Sequence, residues 1–132
     1  MTREEFENIA EEAFHGLPPR FINAIDNVEI VVEDVPTGDD LKLQRKGGTL
    51  LGLYKGIPLS KRGTWYGMSP TLPDRIILYQ KNIEALCRGE REIRRQIYIT
   101  LYHEIGHYFG MSEAEIRHAM DDEETRFSSS DS

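Results

Sequence analysis

Residues 90–110, Glu-Arg-Glu-Ile-Arg-Arg-Gln-Ile-Tyr-Ile-Thr-Leu-Tyr-His-Glu-Ile-Gly-His-Tyr-Phe-Gly, decide how the rest of the chain is read. Ile93, Ile97, Leu101 and Ile105 recur at four-residue steps, which places them along one face of a helix. Arg91, Arg94 and Arg95 read as a solvated face offset by Glu90 and Glu92, not as a nucleic-acid patch. Gly110 ends the helix. Gly106 lies inside it, where glycine costs about 1 kcal/mol relative to alanine, so another backbone is expected to pack closely there.

Upstream, Thr2 and Glu5 form a capping box for a helix whose Phe6, Ile9, Ala10, Ala13 and Phe14 share a face. His15 and Gly16 close it, and Pro18-Pro19 start a second, short helix through Phe21, Ile22 and Ile25. Residues 28–35 (VEIVVEDV), 50–54 and 75–79 (RIILY) read as three strands, rich in β-branched and other apolar residues. Residues 36–48 read as a polar loop, and glycines and prolines between 56 and 73 mark a run of turns. Residues 81–87 read as a short helix. Downstream, Ser112 and Glu115 form a second capping box, opening a helix through Ile116, Ala119 and Met120. Residues 121–132 read as an acidic, Ser-rich tail beyond a domain of residues 1–120.

A chain of 132 residues has the size of one domain. With 39% hydrophobic and 30% charged residues it has the composition of an ordinary soluble globule. Cys87 has no internal partner, which favours a reducing, cytoplasmic setting. No run approaches the ~20 apolar residues that span a bilayer, and the acidic start Met1-Thr-Arg-Glu-Glu-Phe-Glu does not read as a secretory signal. Sixteen Lys+Arg against 23 Asp+Glu disfavour a nucleic-acid partner.

The long helix also carries His103-Glu104-Ile105-Gly106-His107, an H-E-x-x-H pattern. Residues four apart on a helix lie on one face with Cβ atoms ~5–6 Å apart, so two imidazoles can reach one metal ion. Glu104 is rotated off that line and can take a proton from a metal-activated water without being a ligand. Gly110 can adopt positive φ and turn the chain back, bringing Glu113 within reach as a third, oxygen ligand. Glu113 also suits a helix start electrostatically, and His118 or the Asp121/Asp122 pair are the other candidates for that ligand. Trp65 and Tyr66 read as packing or turn anchors more readily than as cleft residues.

The run Gly56-Ile-Pro-Leu-Ser-Lys-Arg62, then Leu72-Pro-Asp-Arg-Ile-Ile-Leu-Tyr79, then H-E-x-x-H-x-x-G-x-x-E through Glu113, resembles the small bacterial zincin-like metallopeptidases, or mini-zincins. The resemblance covers about residues 50–118. It implies an α+β fold, a small sheet of about three strands packed on the H-E-x-x-H helix with the N-terminal helices. It also implies one zinc ion held by His103, His107 and an acidic residue at 113, with Glu104 as general base of a zinc-dependent metallopeptidase. The family's usual third ligand is Asp, and Glu113 adds a methylene to its reach.

The expected partner is then a peptide or protein substrate, held along a strand edge from the 64–79 region. Only 19 residues follow Glu113, so the site is expected to be shallow, closed by the N-terminal helices, or completed by a partner or second copy. The competing readings are a zinc-binding interaction module without turnover, a repressor-cleaving regulatory protease, and a zinc ribonuclease. Glu104 speaks against the first and the last, because a purely structural zinc needs no base and an acidic chain suits RNA poorly.

Overall fold

The four-step apolar stripe becomes the spine of the molecule. The computed structural model describes residues 1–42, 49–56 and 73–130, with side chains through 122. In chain order the elements are α1 (Arg3–His15), α2 (Pro19–Ile22), β1 (Val28–Glu33), α3 (Gly38–Lys42), β2 (Gly52–Lys55), β3 (Asp74–Tyr79), α4 (Gln80–Ala85), α5 (Glu90–Tyr108) and α6 (Glu113–Ser130). This is the expected α+β arrangement, with one three-stranded sheet and α5 packed against it.

The sheet runs in the order β1-β3-β2, with β1 parallel and β2 antiparallel to β3. Four successive residues of β3, Ile76 to Tyr79, are buried. Successive side chains of a strand point to opposite faces, so β3 is covered on both and reads as an unbroken apolar run. Ile76 and Leu78 join Ile93, Ile97, Leu101 and Ile105 of α5 in one core with Phe6, Ile9 and Ala10 of α1 and Ile116 of α6.

Two tyrosines of α5 tie it to the N-terminal segment. The Tyr108 hydroxyl accepts from the Asp26 N–H at 2.9 Å and donates to the Asp26 carbonyl at 3.0 Å. Arg20 donates to the Tyr102 hydroxyl at 3.3 Å while lying over Phe21. The N-terminal helices thus back the long helix.

The Ser112–Glu115 box forms in full, with reciprocal bonds at 3.0 and 3.1 Å. At the first helix Thr2 caps the Glu5 N–H with its hydroxyl, and Glu5 Oε1 accepts that hydroxyl and not the Thr2 amide. Elsewhere the elements differ from expectation. Part of the polar segment 36–48 is helical, because Thr37 Oγ1 caps the Asp40 N–H and the buried Asp40 carboxylate anchors the turn. That carboxylate meets the Lys55 ammonium and accepts from the Tyr79 hydroxyl at 2.8 Å. Contact with Lys55, stronger than the opposing effect of burial, holds Asp40 below the usual carboxylate range. Helix α6 continues past Met120 to Ser130, since no glycine or proline interrupts residues 113–130. Among the described residues, no helix is long and apolar enough to cross a membrane.

Candidate metal centre

Along its second half α5 is enclosed on almost every side. Leu101, Tyr102, Glu104, Ile105, Gly106 and Tyr108 are buried, while His103 and His107 keep about a third of their side chains open (36% and 34%). The helical repeat stacks the two imidazoles, with ring centroids 4.6 Å apart and planes near perpendicular. They form the opening in an otherwise covered surface.

Helix α6 reaches this opening through two glycines. At Gly106 a Cβ would stand 2.5 Å from Ile116 Cγ1, so the bare backbone lets α6 approach α5 directly. The packing at Gly106 is close, as expected, but the neighbour is the Ile116 side chain and not another backbone. Gly110 has φ of 76°, and the Met111 and Gly110 N–H groups donate to the Gly106 and His107 carbonyls, both at 2.9 Å. That pair of bonds is a Schellman turn, which satisfies the last carbonyls of α5 and reverses the chain. The Ser112–Glu115 box then starts α6, leaving Glu113 as its first residue.

Glu113 arrives facing both imidazoles. Its Oε2 lies 2.8 Å from His103 Nε2 and its Oε1 3.2 Å from His107 Nε2. Glu104 approaches from the other side and is buried. Its Oε2 lies 2.9 Å from His103 Nδ1, and its Oε1 accepts the backbone N–H of Tyr54 on β2 at 2.9 Å. Contact with Glu104 first, then with Glu113, outweighs burial and pushes the His103 imidazolium up to about 9. As an imidazolium, His103 donates from Nδ1 to Glu104 and from Nε2 to Glu113.

Would these groups suit a metal ion? His103, Glu104 and His107 offer ligand atoms within 4.8 Å of one another. Of the two carboxylates, Glu104 has one oxygen on the Tyr54 amide and one on His103 Nδ1, whereas Glu113 turns both toward the Nε2 atoms. Two imidazole nitrogens and one carboxylate match a zinc set that keeps a position open, and a carboxylate on the far nitrogen of a ligating histidine is its usual support. The donor chemistry fits zinc.

The remaining candidates stand apart. His118 is exposed, 3.7 Å from Asp122 on α6 itself, and Asp121 and Asp122 are exposed. Glu115 is engaged by Ser112, whose backbone N–H lowers its pKa. Arg94 pairs with Glu12 of α1 at 2.8 Å and Arg91 and Arg95 are exposed, so the basic run is a solvated face. Cys87 is partly buried and its thiol is pushed up by that burial. Trp65, Tyr66 and the 57–62 part of the resemblance lie outside the described residues.

Of the 64–79 region expected to give a strand edge, the described part, β3, is central, and residues 64–72 lie outside the described residues. Among the described residues the edge strand against α5 is β2. The Tyr79 N–H donates to the Leu51 carbonyl, so alternation turns the peptide groups of Gly52 and Tyr54 away from β3. Gly52 lets the strand sit against α5, since a Cβ there would stand 2.6 Å from Thr100 Cγ2. Sequence reasoning missed Tyr54 because its contribution is a backbone amide, which leaves no residue signature.

Residues 25–122 match the sequence profile described as zincin-like metallopeptidase. Comparison with curated protein sequences finds no match. Among solved structures, a conserved hypothetical protein from Thermus thermophilus is similar, at 20% identity and a TM-score of 0.47, over 95% of this chain and 99% of that one.

Proposed function

Because the chain belongs to the zincin-like metallopeptidase family, we propose that it is a zinc-dependent peptidase in which Glu104 is the general base. Zinc, when bound, supplies Lewis acidity for a carbonyl oxygen and acidifies water toward neutral pH. His103, His107 and Glu113 hold the ion. Glu104 takes a proton from the attacking water and returns it to the leaving amine, the usual cycle of a carboxylate base. The observation that carries this reading is the Glu113 carboxylate, brought by a second helix to within 2.8 and 3.2 Å of the two Nε2 atoms.

The substrate in this reading is a peptide or protein that reaches the site where His103 and His107 are open to solvent. In this reading a protein partner or a second copy of the chain completes the site. The lone Cys87 suits a reducing, cytoplasmic compartment.

A second reading, a zinc-binding module without turnover, is favoured by one observation: both Glu104 oxygens are engaged. A screen of quenched fluorescent peptide libraries with zinc-loaded wild type and Glu104→Gln separates the two. The peptidase reading expects wild-type cleavage that falls at least about 100-fold in the variant, the scale of a lost general base. Full zinc occupancy with no Glu104-dependent cleavage selects the binding module.

A further inference from the structure

The peptide N–H on Glu104 belongs to a strand of four residues that is an edge among the described residues, and its direction is set by the residues that anchor that strand. Two buried carboxylates do so at successive positions. The Tyr54 hydroxyl donates to Asp74 Oδ2 at 2.6 Å, and the Lys55 ammonium meets Asp40. Neighbouring side chains point to opposite faces, so β2 is gripped from both sides beside the amide that holds Glu104.

Asp74 is itself rigidly placed. It is the first residue of the central strand, it is buried, and its N–H donates to the Asn27 carbonyl at 3.0 Å. Gly56 backs directly onto it: a Cβ there would stand 2.4 Å from the Asp74 carboxyl carbon. The Tyr54 ring lies edge-on to Tyr108 of α5, centroids 6.0 Å apart, one turn beyond Glu104. A side chain fixed at its hydroxyl by β3 and along its ring by α5 leaves the Tyr54 backbone little freedom. The Tyr54 hydroxyl, donating to Asp74, serves this anchoring.

We infer that Asp74 is a positioning residue for Glu104, acting through the hydroxyl and the backbone amide of Tyr54; the catalytic consequence rests on Glu104 being the base. Asp74 sets the Tyr54 side chain, the side chain sets its own peptide plane, and that plane fixes Glu104 Oε1. The other oxygen stays oriented by His103.

The test is amide hydrogen exchange by NMR on the full-length chain as purified, in wild type, Tyr54→Phe, Asp74→Ala and Asp74→Asn. Tyr54→Phe and Asp74→Ala are expected to speed exchange of the Tyr54 amide by about tenfold, the worth of one net hydrogen bond. The Leu53 and Lys55 amides, which face β3, should change by less than about twofold. Asp74→Asn keeps a carbonyl acceptor for the hydroxyl and should return the Tyr54 amide to within about threefold of wild type. On a peptide that wild type cleaves, Tyr54→Phe should lower kcat by about 10- to 100-fold and leave KM within about twofold, the mark of a misplaced base. Unchanged exchange at the Tyr54 amide in Tyr54→Phe overturns the inference. So does equal acceleration at Leu53, Tyr54 and Lys55, which would mean that the bond only stabilises the strand. If wild type shows no Glu104-dependent cleavage, the peptidase reading fails on that result alone, and the exchange data still decide whether Asp74 places Glu104.

Discussion

Between Glu90 and Tyr98, α5 buries Ile93 and Ile97 and leaves Arg91, Glu92, Arg94 and Arg95 in water; between Thr100 and Tyr108 the same helix is covered on nearly every face. The apolar stripe is continuous through both halves, so the stripe is not what distinguishes them. Both halves meet α1 or the segment after it, but the second half gains β2 at Gly52 and Tyr54, α6 at Gly106, and Arg20 and Asp26 at Tyr102 and Tyr108. A buried carboxylate such as Glu104 is costly unless hydrogen-bonded, and Tyr54 of β2 and His103 of the same helix supply the partners. The first half holds the helix in the core; the second uses its surroundings to orient four polar groups around one opening.

The two halves should respond alike where the stripe runs through both. Ile97→Ala and Leu101→Ala remove equally buried side chains from the stripe, one in each half, and each should lose about 2–5 kcal/mol of stability in urea unfolding. A small loss at one of them would deny the stripe its continuity.

Gly106→Ala tests the enclosure next. Alanine is the better helix former by about 1 kcal/mol, yet its Cβ would meet the buried Ile116, so overpacking should leave a net loss of about 1 kcal/mol. Zinc affinity should fall with it, because α6 carries Glu113. A gain in stability with unchanged zinc binding would show that α6 need not approach so closely.

A smaller effect, screened by water because the ring is about a third exposed, is the pH dependence of the zinc-free protein. His103 is raised in the folded state from an ordinary value of about 6.5 to about 9. Its contribution is therefore fully present below about pH 6.5, shrinks as pH rises, and is gone above about 9. Urea midpoints of wild type should fall over that window relative to His103→Gln. Parallel curves would contradict the ion-pair geometry. In the first half Arg94→Ala, which removes exposed pairs with Glu12 and Glu90, should leave the urea midpoint unchanged.

How much of this was legible beforehand follows the range of each interaction. The stripe of α5, the Thr2 cap, the Ser112–Glu115 box and the Gly110 turn depend on residues within a few positions of one another, and the chain states them directly. The juxtaposition of His103 and His107 is equally local, a consequence of helical spacing. The approach of Glu113 needed one further fact, that Gly106 admits Ile116, for which an interior helical glycine was the available sign. By contrast, the α3 turn depends on Asp40 meeting Lys55 and Tyr79, far along the chain, and nothing in residues 36–48 announces that pairing. The central place of β3 and the Tyr54 amide on Glu104 are likewise long-range, fixed by strand order.

The proposed zinc site depends on two helices bringing His103, His107 and Glu113 together. Zinc content of protein purified after metal-replete expression tests it most directly, in wild type, His107→Ala, Glu113→Ala and His118→Ala. Wild type and His118→Ala should carry about one zinc per chain, and His107→Ala and Glu113→Ala should lose most of it. A wild type free of zinc, or zinc kept by Glu113→Ala and lost by His118→Ala, would contradict the site described above.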